Sequence, residues 1–140
     1  MAAELSNRFV RARAARSTEI AEDYVELIGD LIVATGEARA VDIARSLGVK
    51  QATVSNVVAR LTRDGFVTSQ PYRSIFLTEK GERLAEVSRA RHAIVQNFLI
   101  SIGVPAQTAE IDAEGIEHHV SDETLAILEQ FTARQRERPC

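Results

Sequence analysis

The sequence predicts a mainly α fold in two parts. An N-terminal helix-turn-helix domain carries a small β-hairpin as its wing, and an α-helical region follows it. Three observations lead there. Apolar residues recur every three or four positions through most of the chain, glycines fall where those runs stop, and β-type stretches are confined to two short runs flanking Gln70-Pro71-Tyr72-Arg73-Ser74. With 140 residues, 45% of them hydrophobic, the chain is long enough to bury a core as one medium domain or two small ones.

The first sixteen residues carry Arg8, Arg11, Arg13 and Arg16 against Glu4 and read as a basic arm or a frayed helical start. From Ser17 or Thr18, both good N-cap types, a helix is expected to about Ala34 with its stop at Gly36. Ile20, Tyr24, Leu27, Ile28, Leu31 and Ile32 make its buried stripe. Asp23 and Glu26 share one flank of that stripe, and such a pair is most simply solvated.

A short helix with Val41, Ile43, Ala44 and Leu47 then ends at Gly48, and a second one with Val54, Val57, Val58 and Leu61 ends at Gly65. That spacing is the helix-turn-helix pattern, with Val49 expected to plug the angle between the helices. The second helix presents Gln51, Thr53, Ser55, Asn56 and Arg60, with Lys50 at its entrance, side chains suited to base edges and phosphates. Lys50 stands where Ser or Thr would cap better. Two packed helices without a nucleic-acid partner are the plainer alternative. Phe66–Ser69 and Ile75–Thr78 form the hairpin, with Arg73 near its tip as a phosphate or minor-groove contact.

Thr78 caps a helix from Glu79 to about Ile102 with the stripe Leu84, Val87, Ile94, Val95, Phe98 and Ile102, and His92 lies at the stripe's edge. A histidine there is more often a partly buried polar residue than a ligand. Gly103 and Pro105 open a further helix toward Glu114-Gly115-Ile116-Glu117-His118-His119, and a last helix starts at Ser121 or Asp122 with Leu125, Ile127, Leu128 and Phe131. On one helix, Glu114, Glu117 and His118 would share a face. No Lys or Arg occurs from Ala93 to Ala133, so a divalent cation is the sharper compensation for the crowded carboxylates; a solvated acidic helix is the blander one.

The net charge of -3 hides a segregation. Residues 1–16 and 39–73 are basic, whereas 17–38 and 105–123 hold six acids each and no Lys or Arg. Local positive patches suit a polyanion, and local negative patches suit a cation. No apolar run is long enough to span a membrane, arginines interrupt the N-terminus where a signal core would sit, and the only cysteine is Cys140. A cytoplasmic protein without an intrachain disulfide, thiolate cluster or nucleophilic cysteine is expected.

Several motifs in order then carry a resemblance: Glu22-Asp23-Tyr24-Val25-Glu26, the helix-turn-helix from Ile43 to Asn56, Leu77-Thr78-Glu79-Lys80-Gly81, Arg91-His92 with Phe98-Leu99, and Asp112 to His119. From about Glu22 to Phe131 the chain resembles the DtxR/MntR family of metal-dependent transcriptional repressors, and within it the manganese-sensing branch. The resemblance implies metal ligands at Asp23, Glu26, His92, Glu114, Glu117 and His118, converging on one site that holds one or two ions, with His119 left over. In the iron-sensing branch the positions of Asp23 and Glu114 look to be Met and Cys, and an extra SH3-like domain follows. Carboxylate and imidazole without sulfur favour Mn²⁺ or Fe²⁺, with Zn²⁺ or Co²⁺ able to substitute.

The same resemblance implies a homodimer on palindromic double-stranded DNA, with Mn²⁺ as corepressor of metal-uptake genes. Its parts would be the arm 1–16, a winged DNA-binding domain 17–79, a metal-binding and dimerisation domain 80–133, and a tail 134–140. No membrane, small-molecule substrate or enzymatic turnover is expected. The alternatives are an iron-responsive repressor of this family, a metal-independent winged-helix regulator, and a di-metal carboxylate enzyme. The last would need Glu-x-x-His motifs on two of four long helices, and the chain supplies one histidine-bearing cluster.

Overall fold

The structure, a computed structural model, describes residues 1–138; Pro139 and Cys140 lie outside the described residues, and with them the expectations for Cys140 and the end of the tail. The chain divides into two compact units between Val87 and Ser88. Among the described residues no helix is long and apolar enough to cross a membrane.

The first unit opens with α1 (Ala2–Thr35), which begins well before Ser17 or Thr18. Alanine and arginine are strong helix formers, so of the two readings of the basic segment, arm or helical start, it takes the helical one. Thr18 does not cap; its hydroxyl donates to the Ala14 carbonyl at 3.1 Å from mid-helix. The C-terminal stop is where glycine predicts it. Gly36 takes φ 81°, and its N–H donates to the Ile32 carbonyl.

The helix-turn-helix follows as α2 (Ala40–Leu47) and α3 (Gln51–Arg63). Val49 does not plug the corner, since it is 37% exposed. Backbone bonds close the turn instead: the N–H groups of Gly48 and Val49 both donate to the Ala44 carbonyl. Ile43 and Val54 are fully buried and join Tyr24 and Ile28 of α1, Val58 and Leu61 of α3, and Val67 and Ile75 in one apolar cluster. The hairpin, β1 (Val67–Thr68) and β2 (Phe76–Leu77), is antiparallel with Val67 opposite Leu77, and each strand is shorter than the sequence suggested.

The Thr78-Glu79-Lys80-Gly81 stretch locks this wing to α4 (Glu79–Ser101). The Thr78 hydroxyl donates to the Gly65 carbonyl at 2.6 Å and accepts from the Gly81 N–H at 3.1 Å. Lys80 donates to the Asp64 carbonyl at 2.7 Å and lies 4.4 Å above the centre of the Phe66 ring. Glycine is required at 81 because a Cβ there would sit 2.1 Å from the Phe66 carbonyl oxygen.

The second unit holds the rest of α4, then α5 (Ala106–Ile116), a 3₁₀ turn (Glu117–His119) and α6 (Asp122–Glu137). Its core is small: Val95, Ala113 and Leu125, with Ile94, Leu99, Val120 and Leu128 packed against them. Phe98 and Phe131 meet edge to face at 5.7 Å. Ser121 caps α6 by accepting from the Thr124 N–H, and the helix continues past Ala133 to Glu137. The Glu114–His119 stretch is not one helix. α5 ends one residue after Gly115, a poor helix former, and the next three residues tighten into the 3₁₀ turn.

Candidate metal centre and nucleic-acid interface

In the second unit the tightened turn points Glu117 inward. Its side chain is 3% exposed and that of His118 is 2% exposed. α4 supplies His92, whose Nδ1 lies 2.9 Å from Glu117 Oε2, while His118 Nε2 lies 3.4 Å from Oε1. One buried carboxylate is thus bracketed by two imidazoles. Burying such a charge is costly unless donors or a cation face it, and oxygen with imidazole nitrogen is a donor set for a borderline divalent ion.

Arg91, one residue before His92, holds the turn in place. Its Nε donates to the Glu117 carbonyl at 3.2 Å and its Nη2 to the Val120 carbonyl at 2.5 Å. Both carbonyls lie beyond the end of α5, where one guanidinium fork bridges them. Sequence reasoning used Arg91 only as part of a motif and missed this role. The available signal was position: it is the last Lys or Arg before the stretch Ala93 to Ala133, which contains neither.

The other expected ligands are placed less uniformly. Glu114 is exposed on the last turn of α5, and His119 is exposed. In the first unit Asp23 is exposed on α1, whereas one oxygen of Glu26, Oε1, is buried without a hydrogen-bond partner. A carboxylate oxygen left so calls for a cation, and the residues present fit a bound divalent metal on that ground and on the oxygen and nitrogen chemistry of the set.

The nucleic-acid face belongs to the first unit. Lys50, Gln51, Thr53, Ser55 and Asn56 are exposed along α3. Lys50 makes no side-chain cap to that helix. Arg60 is only half-exposed and partly committed within the fold, where Nη2 donates to the Ser17 carbonyl at 3.3 Å. Arg73 is exposed on the wing turn, beside Tyr72, which is 99% exposed and has φ 63°. Gln51 and Ser55 of α3 and residues 69–73 of the wing line one concavity of about 530 Å³. Glu37 and Arg39 form an exposed ion pair at 3.2 Å that holds the Glu37 carboxyl below the usual carboxylate range and raises the Arg39 guanidinium. Tyr24, in the core of this unit, has its phenol raised by burial, with Arg60 opposing.

Residues 17–75 match the family described as the iron-dependent repressor N-terminal DNA-binding domain, and residues 78–140 match the iron-dependent repressor metal-binding and dimerisation domain. The chain is 52% identical over 124 residues to the transcriptional regulator MntR of Salmonella typhimurium, covering 89% of this chain and 79% of that one. It is 37% identical over 118 residues to the HTH-type transcriptional regulator MntR of Lysinibacillus sphaericus, covering 84% and 85%. Among solved structures it is similar to the manganese regulator SloR, with a TM-score of 0.70 at 28% identity over 81% of this chain. It is also similar to T. acidophilum IdeR, with a TM-score of 0.67 at 29% identity over 80% of this chain. The chain spans only 53% of each of these two structures.

Proposed function

The chain belongs to the DtxR/MntR family of metal-dependent repressors, DNA-binding and dimerising transcriptional regulators, and from that premise we propose that it represses transcription in response to Mn²⁺. The observation that carries the metal reading is the buried Glu117 carboxylate between His92 and His118, together with the buried Oε1 of Glu26. The proposed ligands are Asp23, Glu26, His92, Glu114, Glu117 and His118, holding one or two ions. A bound divalent ion would supply positive charge to these carboxylates. Zn²⁺ or Co²⁺ can occupy such donors, so selectivity rests on geometry and not on affinity.

Within the proposed site, His92 and His118 orient Glu117, and Arg91 fixes the turn that carries it. Domain roles follow the sequence divisions: 17–79 for DNA and 80–133 for metal and dimerisation. Exposed Ile100, Ile127 and Phe131 in the second unit are apolar surface suited to the dimer contact. In a two-fold dimer the α3 helices read a palindrome when about 34 Å, one turn of DNA, separates them. Lys50, Gln51, Thr53, Ser55 and Asn56 face the bases and phosphates, Arg60 and Arg73 the backbone, in the cytoplasm where DNA lies. Loading of the proposed ligand set favours one spacing of the paired α3 helices. DNA in turn tightens metal binding.

Fluorescence anisotropy of labelled palindromic DNA against Mn²⁺, Fe²⁺, Zn²⁺ and EDTA tests this. Mn²⁺ is expected to raise affinity roughly 5- to 150-fold, the usual range of such coupling, and EDTA to reverse it. Equal affinity with and without Mn²⁺ overturns the reading. A response to Fe²⁺ alone replaces it with an iron-responsive repressor, which the name of the matching family keeps in view.

A further inference from the structure

The wing tip carries a feature that neither the metal site nor the α3 face requires. Tyr72 is 99% exposed and has φ 63°, a left-handed backbone that a bulky L-residue adopts only when its surroundings impose it. What imposes it is visible. Arg39 donates from Nη1 to the Tyr72 carbonyl at 3.3 Å while two other nitrogens of its guanidinium grip both oxygens of Glu37 at 3.2 and 3.3 Å. Next to this, the Ile75 N–H donates to the Ala38 carbonyl at 2.7 Å, and the Ser74 hydroxyl accepts from the Ala38 N–H at 2.9 Å. Residues 37–39, entering α2, thus clamp the returning limb of the wing.

A solvent-facing aromatic ring held in a strained backbone gains nothing for the fold of this unit. It stands beside the concavity that it shares with Gln51 and Ser55 of α3. We propose that Tyr72 is a DNA contact, its phenol donating to a phosphate beside the groove read by α3, and that Arg39, tied to Glu37, is the positioning residue that presents it. The partner is the sugar-phosphate backbone and not a base edge, because a phenol carries one donor and no bidentate pattern. This inference rests on the DNA-binding reading above.

The test uses the full chain loaded with Mn²⁺ and a fluorescein-labelled duplex selected from a random pool by the wild-type protein. A pool that yields no bound duplex defeats the DNA-binding reading itself, not this inference alone. Tyr72→Gly relieves the left-handed strain, so its melting temperature should match or exceed that of wild type, while DNA affinity falls about tenfold, the worth of one hydrogen bond to a charged acceptor. Tyr72→Phe should lose several-fold. The slope of affinity against salt should stay the same in both, because a phenol neutralises no phosphate, whereas Arg73→Ala lowers it by about one. Arg39→Ala should match Tyr72→Gly, and the double variant should be no weaker than either single one. Undiminished affinity in Tyr72→Gly overturns the contact, and additive losses in the double variant overturn the positioning role of Arg39.

Discussion

The two units are held together by different means. The first closes an apolar cluster drawn from three helices and the hairpin, and it keeps its candidate working groups, from Lys50 to Arg73, on the outside. The second has a small apolar cluster around Val95, Ala113 and Leu125 and places polar groups inside: Glu117, His118 and the Arg91 fork. A reading surface can be exposed because its partner brings the opposite charge. A cation site is selective through fixed donor geometry, which the burial of Glu117 and His118 helps to impose. The first unit should therefore be rigid by itself, and the second should gain order from its ligand.

The largest expected effect breaks the second unit. Glu117→Ala leaves two imidazoles facing an emptied buried space, at a cost of about 3 kcal/mol, and should abolish the gain in DNA affinity with Mn²⁺. Denaturant melts and anisotropy measure both, and an intact metal response would remove Glu117 from the site. Next comes Gly81→Ala in the first unit, where a Cβ 2.1 Å from the Phe66 carbonyl forces the start of α4 away from the wing. A loss of about 2–3 kcal/mol is expected at unchanged Mn²⁺ affinity, checked by thermal melting and metal titration. Arg91→Ala should cost about 2 kcal/mol for the two hydrogen bonds lost and lower Mn²⁺ affinity by roughly 10- to 100-fold, as residues behind a metal ligand typically do. Calorimetric titration with Mn²⁺ decides it, and unchanged affinity would make Arg91 purely structural.

The smallest effect is a pH dependence in the wing. Glu37 is held below its usual value of 4.5 by Arg39, so the pair's contribution is present above that value and is lost as pH falls through the lowered one. The Tyr72 amide resonance should shift with a midpoint below 4.5, and in Glu37→Gln that titration should vanish. A midpoint at or above the usual value would show that the strut does not form.

Most of the fold was legible because local signals agreed. Gly36 and Gly48 stop helices in left-handed backbone, and the spacing of Ile43, Val54, Val58 and Leu61 gives the helix-turn-helix its core. The start of α1 was misplaced because Ser17 and Thr18 resemble caps, while the helix propensity of the Ala-Arg segment is a sum over many residues that no single residue announces. Val49 was given a packing role that backbone hydrogen bonds fill. The candidate site was legible as a set of residue types but not as geometry. The turn after Ile116 is held by Arg91, which lies 26 and 29 residues away from the carbonyls it bonds, and such a tertiary bond leaves no periodic trace. The strut from Arg39 to Tyr72 spans 33 residues and was hidden for the same reason.

The chain has no tryptophan and two tyrosines, one of them 5% exposed in the first core and the other 99% exposed on the wing. Its ultraviolet emission therefore comes from one sheltered fluorophore and one naked one. Acrylamide or iodide should quench the wing ring and spare Tyr24, which serves as an internal standard. Shielding of the quenchable fraction by unlabelled duplex would then report engagement of the wing in the unmodified protein.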